Sequence, residues 1–326
     1  MVSKNLVDIR ENDIIKYDRE LLPILLHDNS SNQNILWATD NYIFMGEEYK
    51  ASAPIQCKLV TGKNGDIIKP RVSKSKEEQL TRTRGKAEVF SPSWLCNQQN
   101  NLVDNAWFGA EGLFNHEIDN HWETNLNPIP FPTADGKTWQ DYVKNMRMEI
   151  TCGEAPYLAS RYDAITGETI AVADRIGLLD RKLRVVSENL STKKAWCKWA
   201  IIAFQSIYGY EWQGDNLLIA RENLLFTFID HYQAKFRSKP SIKYLKNIAE
   251  IISWNIWQMD GLKFVIPNSC TCNEATAGDL SESENTAIQS CEGCKNNDVH
   301  QHNGIYCEIK DWNAGKTVKF VSLLKK

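Results

Sequence analysis

From about Tyr142 onward the chain alternates short β-branched and aromatic runs with longer segments of helical periodicity, and this alternation restricts its fold more than any other feature. Met146–Ile150 (MRMEI) reads as a short strand that ends at a Thr-Cys-Gly turn. Residues 192–206 carry apolar side chains at helical spacing. Ser206–Trp212 (SIYGYEW) reads as the next strand, residues 216–236 as a long amphipathic helix, and residues 248–262 as a helix running into a strand. Strands separated by helices pair in parallel, so the expected fold class is α/β. Ahead of this region, residues 1–50 read as small helices and strands, and residues 61–86 as a polar loop leading into a helix. Residues 93–108 read as an amphipathic helix entered from a Pro turn, and residues 109–140 as an aromatic-rich loop region.

The formal net charge of −3 lends no support to a dedicated nucleic-acid binder, which is often strongly basic. Local basic faces remain possible readings. Seven basic residues lie between Lys69 and Lys86, either on a solvated connector or at a phosphate-contacting edge. Arg175, Arg181, Lys182 and Arg184 sit in a second basic stretch, read as a solvated helix face or as a face turned to nucleic acid. No run of about 18 apolar residues occurs, so no membrane span is expected. The first residues lack the apolar core of a secretory signal, and nine Cys without one point to a reducing, cytoplasmic setting.

Four blocks follow one another in an order that suggests a bound nucleoside. They are Lys86–Pro92 (KAEVFSP), Glu149–Leu158 (EITCGEAPYL), Tyr208–Asn223 (YGYEWQGDNLLIAREN) and Asn255–Leu262 (NIWQMDGL). In an open α/β sheet a ligand sits beyond the C-terminal ends of the strands. Gly153 can supply a tight turn there, Glu211 an acid for ribose hydroxyls, and Asp260 an acceptor for an adenine edge. The order and residues resemble the N6-adenine DNA methyltransferases of restriction–modification systems, closest to the gamma-class and type IIG "restriction endonuclease subunit M" proteins. Phe90-Ser91-Pro92 stands where that family has Phe-Thr-Pro, and Glu149–Ala155 where it has Asp-Pro-Ala-Cys-Gly-Ser-Gly. Gly209-Tyr210-Glu211 with Ala220–Leu224, and Asn255–Leu262, match its next two blocks.

The resemblance implies a class I S-adenosylmethionine-dependent methyltransferase sheet of Rossmann-like type. It implies S-adenosylmethionine as cofactor, held by Phe90, Pro92, Glu149, Gly153, Glu154, Glu211, Trp212, Asp260 and Leu262. It further implies DNA as a partner, together with a restriction or specificity subunit. Ala155 replaces the second glycine of the cofactor loop, and Glu154 puts a charge where a small residue is usual. Glu154 would pair with the cationic part of the cofactor or spoil the site. The family's Asn-Pro-Pro-Tyr loop, which holds the amino group of a flipped adenine, is missing. Ile309-Lys310-Asp311-Trp312 stands in its place. Ser91–Trp94 and Asn127–Phe131 are partial matches at the wrong point of the chain order. The expected function is therefore a DNA adenine methyltransferase-type subunit of a restriction–modification or phage-defence system, with a partner supplying the catalytic motif. The alternative is a non-catalytic DNA- or protein-binding module on a degenerate methyltransferase scaffold. In a third reading, a different cofactor-using enzyme, Glu154 or Asp311 does the chemistry.

Five Cys crowd into the stretch from Cys270 to Cys307, together with His300 and His302. Cys291-Glu-Gly-Cys294 is a zinc-knuckle spacing. The expected ligands are Cys291, Cys294 and His302 with one or both of Cys270 and Cys272, in a structural zinc site. The expected division is an N-terminal accessory region (1–85), a methyltransferase-like cofactor-binding domain (86–265), a zinc-stapled insert (266–308), and a C-terminal strand of the main sheet (309–326).

Overall fold

The computed structural model describes residues 11–86, 88–271 and 290–324. Its centre is a three-stranded parallel sheet of Arg147–Glu149, Ile207–Glu211 and Ile256–Gln258, with Ile207–Glu211 in the middle. The register aligns Glu149 with Gly209 and Glu211 with Gln258, so the three C-terminal ends finish side by side. Helices Leu178–Asn189 and Lys193–Gln205 connect the first strand to the middle one. Helices Gly214–Phe236 and Ile242–Asn255 connect the middle strand to the third. The expected α/β alternation is present, in a mixed α/β molecule with small sheets.

The helix Gly214–Phe236 is buried along most of its length, which explains its weak amphipathic pattern. Arg221 in this helix is fully buried and donates to the carbonyls of Leu25, His27, Ser253 and Ile256. One guanidinium thereby ties the N-terminal helix Leu21–Leu26, the helix Ile242–Asn255 and the third strand together.

The described part of the N-terminal region shares the core of the sheet. Ile14, Leu22, Trp37 and Ile55 pack in one apolar cluster with Leu217, Phe228 and Ile252. Gln258 accepts from the Leu36 N–H at 2.7 Å and donates to the Leu36 carbonyl at 2.8 Å, bringing residues 35–40 across the strand ends. The opposite face of the sheet, formed by Tyr210 and Trp257, is covered by Ile309 and Phe320. These belong to the chain's last segment. The strands Glu308–Asp311 and Lys316–Lys319 form an antiparallel hairpin of their own, so the described residues 309–324 do not supply the expected C-terminal strand of the main sheet. The tight turn after Asp311, whose carboxylate takes the N–H groups of Asn313 and Ala314, folds the segment back on itself.

The basic stretch at Arg175–Arg184 is neither solvated nor turned to a nucleic acid. Arg181 is 1% exposed and pairs with Asp104 at 2.8 Å. Lys182 is equally buried, and its ammonium donates to Val143, Asn145 and Ser206. Arg175 bonds Asp230 and Arg184 bonds Glu188. Burial pushes the Lys182 ammonium well below its ordinary pKa. Of the basic residues between Lys69 and Lys86, Lys74 and Arg82 are likewise buried, both against Asp215. Lys69, Lys76 and Arg84 are exposed.

Candidate functional site

Beyond the C-terminal ends of the three strands lies a cavity of about 1000 Å³. Phe90, Gly153, Glu211, Trp212, Asp260 and Leu262 all line it, although they are scattered over more than half of the chain. The strand ends explain the convergence: Glu211 closes the middle strand, and Asp260 follows two residues after the third.

The turn after the first strand is unusual. Thr151, Gly153 and Ala155 all have left-handed backbone, with φ of 47°, 54° and 61°. Such alternation of handedness turns successive N–H groups toward one side. The Glu211 carboxylate fills this position, accepting from the Gly153 N–H at 2.9 Å with Oε2 and from the Gln213 N–H at 3.0 Å with Oε1. A Cβ on Gly153 would also crowd the Phe90 ring at 3.3 Å, so glycine is needed for both conformation and space. Burial raises the Glu211 carboxyl above its ordinary pKa, while the two N–H donors pull it back down. Each carboxylate oxygen still has a lone pair free for another donor. Asp260 folds its Oδ1 back onto the N–H groups of Leu262 and Lys263, while Oδ2 lies 3.7 Å from the Lys263 ammonium.

Three residues expected at this cavity do not line it. Pro92 stands before the helix Ser93–Phe108 and lines a neighbouring cleft of about 800 Å³ with Trp94, Trp122 and Asp163. Glu149 turns inward to accept from the N–H groups of Tyr157 and Leu158. Burial pushes its carboxyl well above the usual range. Glu154 is 2% exposed, and its oxygens take the Arg71 N–H and the Tyr162 hydroxyl at 2.5 Å each. Glu154 therefore braces the loop from behind. Asp311 sits in the hairpin turn of the last segment and lines a separate groove with Tyr208 and Trp257, which leaves it no part in this cavity.

Several cavity residues were not singled out by sequence. Ala38, Thr39, Asp40 and Ala51 come from the N-terminal region, carried there by the Gln258–Leu36 pairing. Nothing local in residues 38–51 signals this placement. Glu88, Gln213 and Asn216 form a buried network on another wall, in which Glu88 Oε2 accepts from Gln213, Asn216 and Arg82. Adjacency to the Phe90 and Glu211 blocks is the one signal that pointed to them.

Sγ of Cys270, Cys291 and Cys294 and a ring nitrogen of His302 lie within 4.8 Å of one another, a group that can hold a metal ion. The three sulfurs stand 3.4–3.6 Å from His302 Nδ1. Three sulfurs and one imidazole nitrogen match the donor set of a closed tetrahedral zinc site. Gly304 makes the approach possible, because a Cβ there would meet Ser269 Oγ at 2.5 Å and Cys270 Sγ at 3.0 Å. Burial works against the Cys291 thiolate, but N–H groups of Asn303 and Cys294 and the His302 ring bring its pKa down to about 6. Cys272 lies outside the described residues. Cys307 is fully buried elsewhere and donates to the Gln258 carbonyl at 3.2 Å.

Among the described residues no helix is long and apolar enough to cross a membrane. Comparison with protein-family models, with curated proteins and with solved structures finds no match to this chain.

Proposed function

We propose that the cavity binds S-adenosylmethionine and that the chain is the cofactor-binding lobe of a DNA adenine methyltransferase-type system, on a Rossmann-like sheet. The observation that carries this reading is the convergence of Phe90, Gly153, Glu211, Trp212, Asp260 and Leu262 on one cavity beyond the strand ends. Its volume of about 1000 Å³ is at the upper end of what small-ligand sites use. Glu211, with an acceptor site left on each oxygen, would take the ribose hydroxyls. Asp260 Oδ2 would accept from the adenine amino group, and the Phe90 ring, packed on Gly153, would flank the methionine end. The cofactor, when bound, supplies an electrophilic methyl group. The residues of this chain hold and orient it and keep water away from it.

Two observations support a partner for the transfer step. The segment where an acceptor-holding loop is expected is the hairpin Glu308–Lys319, packed under the sheet. The first strand is an edge of the sheet, and Met146, Met148 and Ile150, at alternate positions along it, are exposed. Parallel sheets are ordinarily covered on both faces, so exposed apolar side chains on an edge strand invite cover by another chain. Neither partial match offers an acceptor loop at the cavity. The Ile129 N–H is taken by Glu188, and Ser93 and Trp94 line the neighbouring cleft. Calorimetric titration of the purified chain with S-adenosylmethionine tests the reading. Micromolar binding supports it, and no binding by the folded chain overturns it.

A further inference from the structure

We propose that Cys270, Cys291, Cys294 and His302 bind a zinc ion whose presence fixes one wall of the cavity. That wall is the loop Asp260–Asn268, which contributes Asp260, Gly261, Leu262, Lys263 and Asn268 to the lining. The loop has little regular structure to hold it. Its own bonds centre on Asp260: the Asp260 N–H donates to the Val265 carbonyl and the Phe264 N–H to the Asp260 carbonyl, both at 2.8 Å, and the Leu262 and Lys263 N–H groups donate to Asp260 Oδ1, which leaves residues 265–268 to be held from outside. Phe264 has a φ of 61°, a conformation costly for a bulky side chain. Such a loop keeps its shape when something outside it supplies the restraint.

The restraint comes from the segment that carries the cysteines. The Ile266 N–H donates to the Ile305 carbonyl, and the Cys307 N–H donates to the Phe264 carbonyl. Ser269 Oγ accepts the Ile305 N–H at 3.0 Å and donates to the Ile266 carbonyl at 2.7 Å. Residues 303–307 thus lie as a splint along residues 264–269. One end of this paired stretch meets the four-ligand group: Cys270 follows Ser269 on the loop side, and His302 precedes Asn303 on the splint side. Without a metal, the junction rests on the Asn303–Thr271 side-chain and backbone bonds at 2.6 and 3.2 Å, on the Cys291 N–H to Thr271 carbonyl bond, and on sulfur–imidazole contacts. With one, four ligand bonds lock residues 270, 291, 294 and 302 together, and the splint holds the cavity wall in register.

The test uses the full chain, its zinc content measured first by atomic emission. Hydrogen exchange is then compared with zinc bound, after chelation, and after zinc is restored. Removal is expected to speed exchange at Leu262, Phe264 and Ile266 by about tenfold or more, while the helix Gly214–Phe236 stays protected. Restored zinc should reverse the change. A chain that holds no zinc, or equal exchange at residues 260–268 with and without it, overturns the proposal. If chelation unfolds the whole chain, Ser269→Ala with zinc in place decides: faster exchange at Ile266 and Ile305 supports the splint, and unchanged exchange rejects it. A second arm, resting on the cofactor reading, titrates both forms with S-adenosylmethionine and expects affinity to fall about fivefold or more without zinc. A zinc-dependent exchange response with no cofactor binding in either form keeps this inference and rejects the cofactor reading.

Discussion

The Glu211 carboxylate reaches from the end of the middle strand to the Gly153 N–H, 2.9 Å away in the turn after the first strand. Its other oxygen holds the Gln213 N–H at the start of the next helix. One side chain thereby sets the two loops that flank the cavity mouth, and it does so at the cost of burying a carboxylate. Glu211→Ala leaves two N–H groups without their acceptor and should destabilise the chain by about 1–3 kcal/mol. If the cavity is the cofactor site, the same variant loses S-adenosylmethionine binding while remaining folded. Urea denaturation and calorimetry on one preparation read both effects. Wild-type affinity in the variant would remove Glu211 from the ligand's contacts.

Arg221 is the mechanical counterpart deeper in the molecule. Four backbone carbonyls, those of Leu25, His27, Ser253 and Ile256, depend on its guanidinium. Arg221→Met preserves the apolar stem and removes every donor, so the expected loss is about 3 kcal/mol or more by urea denaturation. A loss under about 1 kcal/mol would mean that the carbonyls find other partners. Lys is a poor substitute, because a single ammonium cannot span that fork of acceptors.

The cysteines divide into two groups with opposite expected responses. Cys291→Ala removes one of the four grouped ligands and should abolish stoichiometric zinc. Cys307→Ala should leave zinc at the wild-type level, because its thiol lies outside the group and bonds the Gln258 carbonyl. It should instead cost about 1–2 kcal/mol of stability from the lost buried contact. Atomic emission and thermal unfolding on the two variants separate the roles. Equal zinc loss in both would mean that Cys307 takes part in the metal site.

Glu11 predicts a pH dependence. Its side chain is 1% exposed, and burial raises its carboxyl from 4.5 to about 8, with a backbone N–H pulling it down and Asp66 adding to the rise. Burial also raises Glu222, and Glu11 adds to that rise. The folded chain therefore holds these protons more tightly than the unfolded chain does. Their contribution to stability is present below the usual carboxylate range and is lost as pH rises from about 4.5 through about 8. Glu11→Gln keeps the shape without the titration, so its stability should fall less than wild type across that window, by about 2 kcal/mol at the alkaline end. Parallel stability–pH curves for the two proteins would contradict this.

The α/β class was legible because period and length carry it: the runs at 146–150, 206–212 and 255–260 lie close to the three parallel strands. The cavity acids were legible too, since a residue at the end of a parallel strand has few places to go but the strand-end crevice. Cys270, Cys291, Cys294 and His302 were foreseen from spacing, because metal ligands must cluster whatever the surrounding fold. Burial was not legible. Arg181 and Lys182 look like surface charges in one dimension, and only packing against Asp104, Val143 and Ser206 makes them interior residues. Glu154 likewise reads as a ligand partner until Arg71 and Tyr162 are seen to occupy it. The tertiary structure also decided that residues 38–51 complete the cavity and that the last segment pairs with itself. Both outcomes depend on long-range bonds, such as Gln258 to Leu36, whose partners lie over 200 residues apart and leave no mark on local sequence.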